Sequence, residues 1–267
     1  QARMSELSLT FSQNNLKDQQ RFRLHITDLH YLTGMPETSL RSAEALAREE
    51  GKSGWVFTLA APSFFPFMQH CPEGKLREEM YRAKMMVGAA SDEYDNRELI
   101  RELVNLRLEY AQLLGAKTYA EKALRLRMAR TPEAVYQLLD ELLIAYRPIA
   151  EEELKRVETF AKEHGHTEPL QPWDWSYWAQ QYQKAYYELD EEMLRPYFEL
   201  TKVSEAVLGL ATTLYGIHFA PRPELPVYHP DVRAYEVTDA DGSYLGLLYT
   251  DFFPREGKQS GAWMNNL

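Results

Sequence analysis

The chain has 267 residues, 45% of them hydrophobic and 26% charged, with a formal net charge of −10. This composition is typical of a globular protein and excludes an intrinsically disordered chain. The acidic balance argues against nucleic acid as a partner, because phosphate binding requires a basic patch and the Lys and Arg residues do not cluster. No stretch approaches the roughly 20 apolar residues of a membrane span, so no membrane partner is expected.

The first third of the chain is predicted to be mainly helical, with one pair of short strands. Helices are expected at 4–22, 36–50 and 73–87, where apolar residues recur at helical spacing or charged residues dominate. Alternation at 23–28 and a β-rich run at 55–60 predict two strands. These strands are expected to pair as a small hairpin-like sheet.

The middle of the chain carries two capping-box patterns and the longest predicted helix. Asp95 with Glu98, and Thr118 with Glu121, each place an N-cap side chain three residues before a carboxylate that reaches back. The longest helix begins near Thr131 and is expected to bury one apolar face. The residues of that face are Val135, Leu138, Leu142, Tyr146, Ile149, Leu154 and Val157.

The segment 164–172 (HGHTEPLQP) is predicted to be a loop between two domains, because it contains two prolines and a glycine and has no periodicity. The predicted domains are an N-terminal helical block, 1–165, and a second domain, 166–267. The second domain is expected to begin with aromatic-rich helices, including 173–189, and to end in a β-meander.

The meander is predicted from alternation and turn chemistry in the last forty residues. Strands are expected at 232–238, 244–253 and 259–264, and the dipeptide Asp241-Gly242 favours a tight hairpin between the first two. The third strand is short and is expected to be an edge. The predicted fold class is therefore mainly α, with a small antiparallel β-meander near the C-terminus and a short N-terminal strand pair.

The residue types used in zinc, thiol and phosphate chemistry do not form a recognisable site. None of the seven histidines has a second histidine four residues later, so a His-Glu-x-x-His helix is absent. His164 and His166 are interpreted as members of a solvated loop. For His229 a structural role is favoured, with orientation of a neighbouring group as the alternative. The single cysteine, Cys71, excludes an internal disulfide and suits a reducing compartment.

One helix is unusually rich in aromatic residues. Helical spacing favours core packing for these side chains, and a ligand-binding wall is the alternative. The residues are Trp173, Trp175, Tyr177, Trp178, Tyr182, Tyr186 and Tyr187.

Five strings that occur in order closely resemble the thimet-oligopeptidase-like zinc metallopeptidases. They are Pro172–Trp178 (PWDWSYW), Leu194–Phe198 (LRPYF), Leu214–Ile217 (LYGI), Val227–Arg233 (VYHPDVR) and Gly261–Met264 (GAWM). Further strings upstream, including Phe11–Asn14 (FSQN), extend the resemblance over nearly the whole chain. The amino-acid sequences at 197–200 and 227–229 are similar to those of the bacterial peptidyl-dipeptidase (dipeptidyl carboxypeptidase) branch. Members of that branch remove dipeptides from peptide C-termini.

The resemblance implies a central fragment of the channel-containing metallopeptidase fold. In that family the His-Glu-x-x-His helix follows the Gly-Ala-Trp strand, whereas this chain ends at Leu267. We therefore expect zinc in the parent protein, no metal ligand and no catalytic residue in this chain, and no activity of the fragment alone. Gly261, Ala262 and Trp263 are expected to bind the peptide substrate by strand addition. Ser260 stands where the family commonly has a second glycine.

Short peptides are the partners that the resemblance implies for the parent. A cytoplasmic location is expected, and a periplasmic one is left open because the chain begins with Gln1 and its true N-terminus is expected to be missing. Apolar surface left uncovered on the fragment predicts self-association. The alternative function is a non-catalytic helical scaffold or interaction protein, and a ligand-binding bundle that uses the aromatic helix is a third reading.

Overall fold

The computed structural model describes residues 1–187, 191–255 and 257–258. The chain divides into two compact units, Gln1–Tyr187 and Glu188–Leu267. The predicted mainly α fold with small antiparallel sheets is confirmed. The segment 164–172 is a loop inside the first unit, and the proposed domain boundary at residue 165 stays a prediction.

The first unit contains eight α-helices and one two-stranded sheet. The strands are β1 (Leu24–Ile26) and β2 (Trp55–Phe57). The helices are α1 (Ala2–Arg21), α2 (Glu37–Glu49), α3 (Ala61–His70), α4 (Gly74–Met85), α5 (Arg97–Leu113), α6 (Tyr119–Leu124), α7 (Pro132–Glu163) and α8 (Trp175–Tyr187). The predicted helices at 4–22, 36–50 and 73–87 correspond to α1, α2 and α4.

The predicted hairpin-like sheet is confirmed and lies at the centre of the first unit's core. β1 and β2 are antiparallel, with Leu24 opposite Phe57. Phe57 packs against Phe67 of α3 with ring centroids 4.7 Å apart, and both side chains are fully buried. Gly54, which leads into β2, has φ +84°, and a Cβ there would lie 2.4 Å from the carbonyl oxygen of Ile26. Only glycine fits this approach of the two strands.

The two predicted capping boxes have different outcomes. At α6, Thr118 Oγ1 accepts a hydrogen bond from the N–H of Glu121 at 3.2 Å, as predicted. At α5, the carboxylate of Asp95 accepts from the N–H of Arg97 at 2.9 Å. The Glu98 carboxylate instead accepts from a guanidinium three residues later, at 2.9 Å. The reciprocal half of that box is therefore wrong, because a charged partner on the helix surface takes the carboxylate.

The prediction that α7 buries its apolar face is wrong for most of the helix. Val157 is buried, but Leu138, Leu142 and Tyr146 are 57%, 42% and 63% exposed. The C-terminal part of α7 packs on α8, where Phe160 is buried. α6 also contacts α7, but the first half of the helix stays largely exposed among the described residues. Periodicity identified the apolar face correctly but could not show what covers it.

The second unit contains two α-helices and a three-stranded antiparallel sheet among its described residues. Its helices are α9 (Glu191–Leu194) and α10 (Leu200–Tyr215), and its strands are β3 (His218–Pro221), β4 (Arg233–Thr238) and β5 (Tyr244–Thr250). The strand order is β3-β4-β5. No described helix of either unit is long and apolar enough to cross a membrane.

The meander differs from its prediction in which strands it contains. β4 and β5 confirm the first two predicted strands, and Gly242 between them has the positive φ, +84°, of a tight turn. β3 was not predicted, since four residues that end in Pro221 show no clear alternation. The predicted third strand, 259–264, lies outside the described residues.

Candidate functional site

The outer edge of β5 is the candidate peptide-binding feature of the second unit. β5 pairs with β4 along its inner edge, with Tyr235 opposite Leu248. Among the described residues, no strand pairs with its other edge. An unpaired strand edge offers N–H and C=O groups to a further strand or to an extended peptide.

The three predicted substrate-binding residues follow this edge in the chain. Gly261, Ala262 and Trp263 all lie outside the described residues. Of the segment between β5 and these residues, the structure describes 251–255 and 257–258.

A compact set of charged and polar side chains fixes this connecting segment. We call it the Asp251 cluster; it comprises Asp251, Tyr228, Arg255 and Lys258. Arg255 donates two hydrogen bonds to the Asp251 carboxylate, at 2.8 and 2.6 Å, and the hydroxyl of Tyr228 donates a third at 2.9 Å. Lys258 Nζ lies 3.0 Å from the same carboxylate and donates to the carbonyl oxygens of Asp251 and Phe253 at 2.7 and 2.9 Å. The cluster therefore ties the segment after β5 to the loop that precedes β4.

The electrostatics of the Asp251 cluster favour a structural role. The hydrogen bonds from Arg255 are the main reason that the pKa of Asp251 lies well below its usual range. The hydrogen bond that Tyr228 donates to this carboxylate raises the pKa of its own hydroxyl. Both shifts keep the groups in the protonation states they already have at neutral pH, so neither residue is poised to exchange a proton. The cluster is suited to holding backbone in place.

Only part of this cluster has a signal in the amino-acid sequence. Asp251 and Arg255 are four residues apart just after a strand, and Lys258 is seven residues on. The contact with Tyr228, 23 residues earlier, depends on the folded sheet and has no local signature.

The histidines that could have marked a metal site have other surroundings. His229 Nδ1 accepts the N–H of Asp231 at 3.3 Å, which supports the structural interpretation. A ring nitrogen of His164, Nδ1, lies 2.8 Å from the carbonyl oxygen of Phe160. Within the described parts of the chain, no group of three His, Cys, Asp or Glu side chains could hold a metal ion. The described residues therefore do not fit a zinc site.

The aromatic helix α8 packs against α7. Phe160 of α7 lies edge-on to Trp178, Tyr182 and Tyr186, with ring centroids 6.4, 5.6 and 6.0 Å apart. Trp178 and Tyr182 are half-buried in this contact, in line with core packing. Trp175, Tyr186 and Tyr187 are 37%, 61% and 66% exposed, so the core-packing interpretation is wrong for these three. The thiol of Cys71 is also inert, because burial raises its pKa to about 11.

A cleft lies beside the sheet within the second unit. It has a volume of about 800 Å³ and is bounded by α10, β3, β4 and the loop between the strands. Leu208 and Val232 contribute apolar lining, and an ion pair between Arg222 and Glu236, 2.8 Å long, lies at one side. Its volume is in the range of sites that hold small ligands or peptide side chains.

Comparison with known proteins places these features in a family context. The model of peptidase family M3 matches residues 67–267. The chain is 37% identical to oligopeptidase A of Escherichia coli over 268 residues, which cover 99% of this chain and 39% of that protein. It is 36% identical to the dipeptidyl carboxypeptidase of the same organism over 262 residues, covering 97% and 38%. A probable cytosolic oligopeptidase A of Arabidopsis thaliana is 38% identical over 275 residues, covering 99% and 39%. The chain thus spans about two fifths of the length of these relatives.

Proposed function

Since the chain belongs to peptidase family M3, we propose that it is part of a zinc-dependent metallopeptidase that cleaves oligopeptides. The observation that carries this proposal is the similarity over 99% of the chain to a protein named oligopeptidase A. The family resemblance seen in the sequence is confirmed. The identities of 37% and 36% to an oligopeptidase and a dipeptidyl carboxypeptidase do not separate the two branches. Release of C-terminal dipeptides rests on the strings around 197–200 and 227–229.

The role of this segment is to hold the peptide substrate rather than to cleave it. The backbone groups of Gly261, Ala262 and Trp263 pair with an extended peptide as an added strand. Two observations support this role: the outer edge of β5 is unpaired among the described residues, and the Asp251 cluster holds the described residues that follow β5.

The zinc ligands are contributed by polypeptide other than these 267 residues. This proposal is supported by the absence of any two histidines four residues apart in the sequence. Alone, this chain is catalytically silent. A cytoplasmic location is in keeping with its single cysteine.

Peptide binding tests the proposed role of the edge. Ala262→Pro removes one backbone N–H from the proposed peptide-pairing strand. Loss of one hydrogen bond, about 1–1.5 kcal/mol, is expected to weaken binding of a fluorescent hexapeptide roughly tenfold. Asn266→Pro, beyond the predicted strand, is the matched control and is expected to bind as the wild type does. If Ala262→Pro and the wild type bind the peptide with equal affinity, the proposed pairing of this strand with the peptide is refuted. A folded wild-type chain that binds no peptide would favour the scaffold reading.

A further inference from the structure

The cleft beside the sheet of the second unit has a polar wall, which is formed by α10. The residues of α10 that line the cleft recur every three or four positions, so they form one face of the helix. They are Thr201, Ser204, Glu205, Leu208, Gly209 and Thr212. A Cβ added at Gly209 would have no neighbour within 4 Å, so the space in front of this wall is open. A helix face that lies against a sheet is normally apolar, whereas this face carries only one large apolar side chain.

The apolar stripe of α10 lies on the other side of the helix. It comprises Val203, Val207, Leu210 and Leu214, which are between 37% and 63% exposed. At about 100° per residue, this stripe is centred roughly opposite the residues that line the cleft. A further polypeptide segment, such as one from the part of the M3 relatives that this chain does not cover, can bury its apolar side chains on that stripe. The polar wall is suited instead to a polar ligand inside the cleft.

Two opposite charges at the cleft have no partner. Among the described residues, the Glu and Arg residues that line it are Glu205, Arg222 and Arg233. The guanidinium of Arg222 is neutralised by Glu236 at 2.8 Å and by Glu224 at 3.5 Å. Neither the carboxylate of Glu205 nor the guanidinium of Arg233 forms an ion pair or a hydrogen bond with any described side chain or backbone group. The cleft therefore offers one unpaired carboxylate and one unpaired guanidinium.

These two charges belong to different walls of the cleft. Glu205 is part of the helix wall, and Arg233 is the first residue of β4. Tyr235, two residues later and therefore on the same face of β4, is opposite Pro221 of β3, and both of these residues line the cleft. Arg233 is thus part of the sheet wall. Because Glu205 and Arg233 do not pair with each other, a ligand that carries both charges can lie between them.

From the polar wall, the open space and the two unpaired charges, we propose that the cleft binds a short peptide with both ends free, with its ammonium group on Glu205 and its carboxylate on Arg233. Hydrogen bonds between such charged groups are stronger than neutral ones, and a guanidinium can donate two parallel bonds to a carboxylate. The hydroxyls of Ser204 and Thr212 donate to carbonyl oxygens of α10 at 2.7 and 3.1 Å, so their oxygens remain acceptors for N–H groups of the ligand. The volume of about 800 Å³ is sufficient for a dipeptide. The proposal rests neither on the peptidase function nor on strand addition.

Isothermal titration calorimetry of the purified chain with dialanine tests the proposal. A saturable isotherm with one site per chain is expected. N-acetyl-dialanine lacks the ammonium group, and dialanine amide lacks the carboxylate. Each is expected to bind at least about tenfold more weakly than dialanine, because each loses one charge-assisted contact.

Two variants assign the ends of the peptide to the two walls. Glu205→Gln is expected to weaken the binding of dialanine about tenfold and to leave that of N-acetyl-dialanine unchanged, because the acetylated end has no charge to lose. Arg233→Gln is expected to weaken dialanine equally and to leave dialanine amide unchanged. Lys202→Gln removes a cation of α10 that pairs with Glu199 at 3.0 Å and does not line the cleft, so this matched control is expected to bind as the wild type does. All three replaced side chains are exposed, and a native far-UV circular dichroism spectrum is expected for each variant.

Three results would overturn the proposal. The first is the absence of saturable dialanine binding, and the second is a block at either end that leaves the affinity unchanged. The third is a loss in Glu205→Gln or Arg233→Gln that is as large for the peptide blocked at the corresponding end as for dialanine, because the charge would then act on the cleft and not on the ligand. Failure of strand addition is a separate result, which the hexapeptide assay with Ala262→Pro measures.

Discussion

Replacing Arg77 with methionine is expected to destabilise the first unit by several kcal/mol. The Arg77 guanidinium on α4 pairs with Asp174, just before α8, at 2.6 Å, and both side chains are at most 5% exposed. The same guanidinium donates to the carbonyl oxygens of Cys71, Pro72 and Trp173 at 2.7, 2.9 and 3.1 Å. One side chain thus joins α4, the loop after α3 and the start of α8.

The size of the expected loss in free energy of unfolding depends on the groups that lose their partner when Arg77 is replaced. Methionine fills much of the arginine volume, so the main loss is electrostatic. Asp174 remains buried, with the N–H of Gln171 at 3.1 Å as its other close donor. Breaking a buried ion pair by removing one partner costs about 3–5 kcal/mol. The double variant Arg77→Met with Asp174→Asn is expected to lose less than the two single variants together, because no charge is then left unpaired.

Urea unfolding followed by tryptophan fluorescence measures this loss. Four of the five tryptophans lie in the first unit, so the signal reports mainly on that unit. Arg77→Lys is the matched control: it keeps the charge but not the planar fork, and an intermediate loss is expected. A loss below about 1 kcal/mol for Arg77→Met would put the pair in the range of surface ion pairs and refute the reasoning.

Three further predictions concern single residues. Because the pKa of Asp251 is lowered in the fold, its carboxylate stabilises the second unit above about pH 4, and this contribution is lost as the pH falls below that value. Asp251→Asn is therefore expected to reduce the fall of the unfolding temperature at acid pH. An unchanged fall would contradict this. Burial raises the pKa of the Cys71 thiol to about 11, so thiol labelling at pH 8 is expected only in denaturant, and rapid labelling of the native chain would show the thiol to be accessible. Gly54→Ala is expected to cost at least about 1 kcal/mol, since its Cβ would meet the Ile26 carbonyl oxygen at 2.4 Å; a neutral result in the same urea assay would show that the strands can separate.

Local patterns predicted most of the secondary structure because local chemistry determines it. α1, α2 and α4 follow from helical periodicity, and the β1–β2 pair from β-rich runs. The turn between β4 and β5 follows from a dipeptide that tolerates a positive φ. β3 was not predicted, because its four residues show no strand pattern of their own and form a strand by pairing with β4.

The parts that could not be predicted depend on distant contacts. The periodicity of α7 marks an apolar face, but burial depends on which element lies against it, and that element is not specified by the helix sequence. The Asp251 cluster likewise joins Tyr228 to residues 23 or more positions later. Gly261, Ala262 and Trp263 were singled out by resemblance alone, and their role stays a prediction.

The proposed division of labour, in which this chain holds a peptide and does not cleave it, is tested most directly by a hydrolysis assay. The purified chain is incubated with added zinc and a chromogenic peptide, with and without a chelator, and intact oligopeptidase A of Escherichia coli serves as the positive control. We expect no chelator-sensitive hydrolysis by the chain under conditions in which it binds the peptide. Turnover that the chelator abolishes would contradict the proposal, because it would place a working zinc site within these 267 residues.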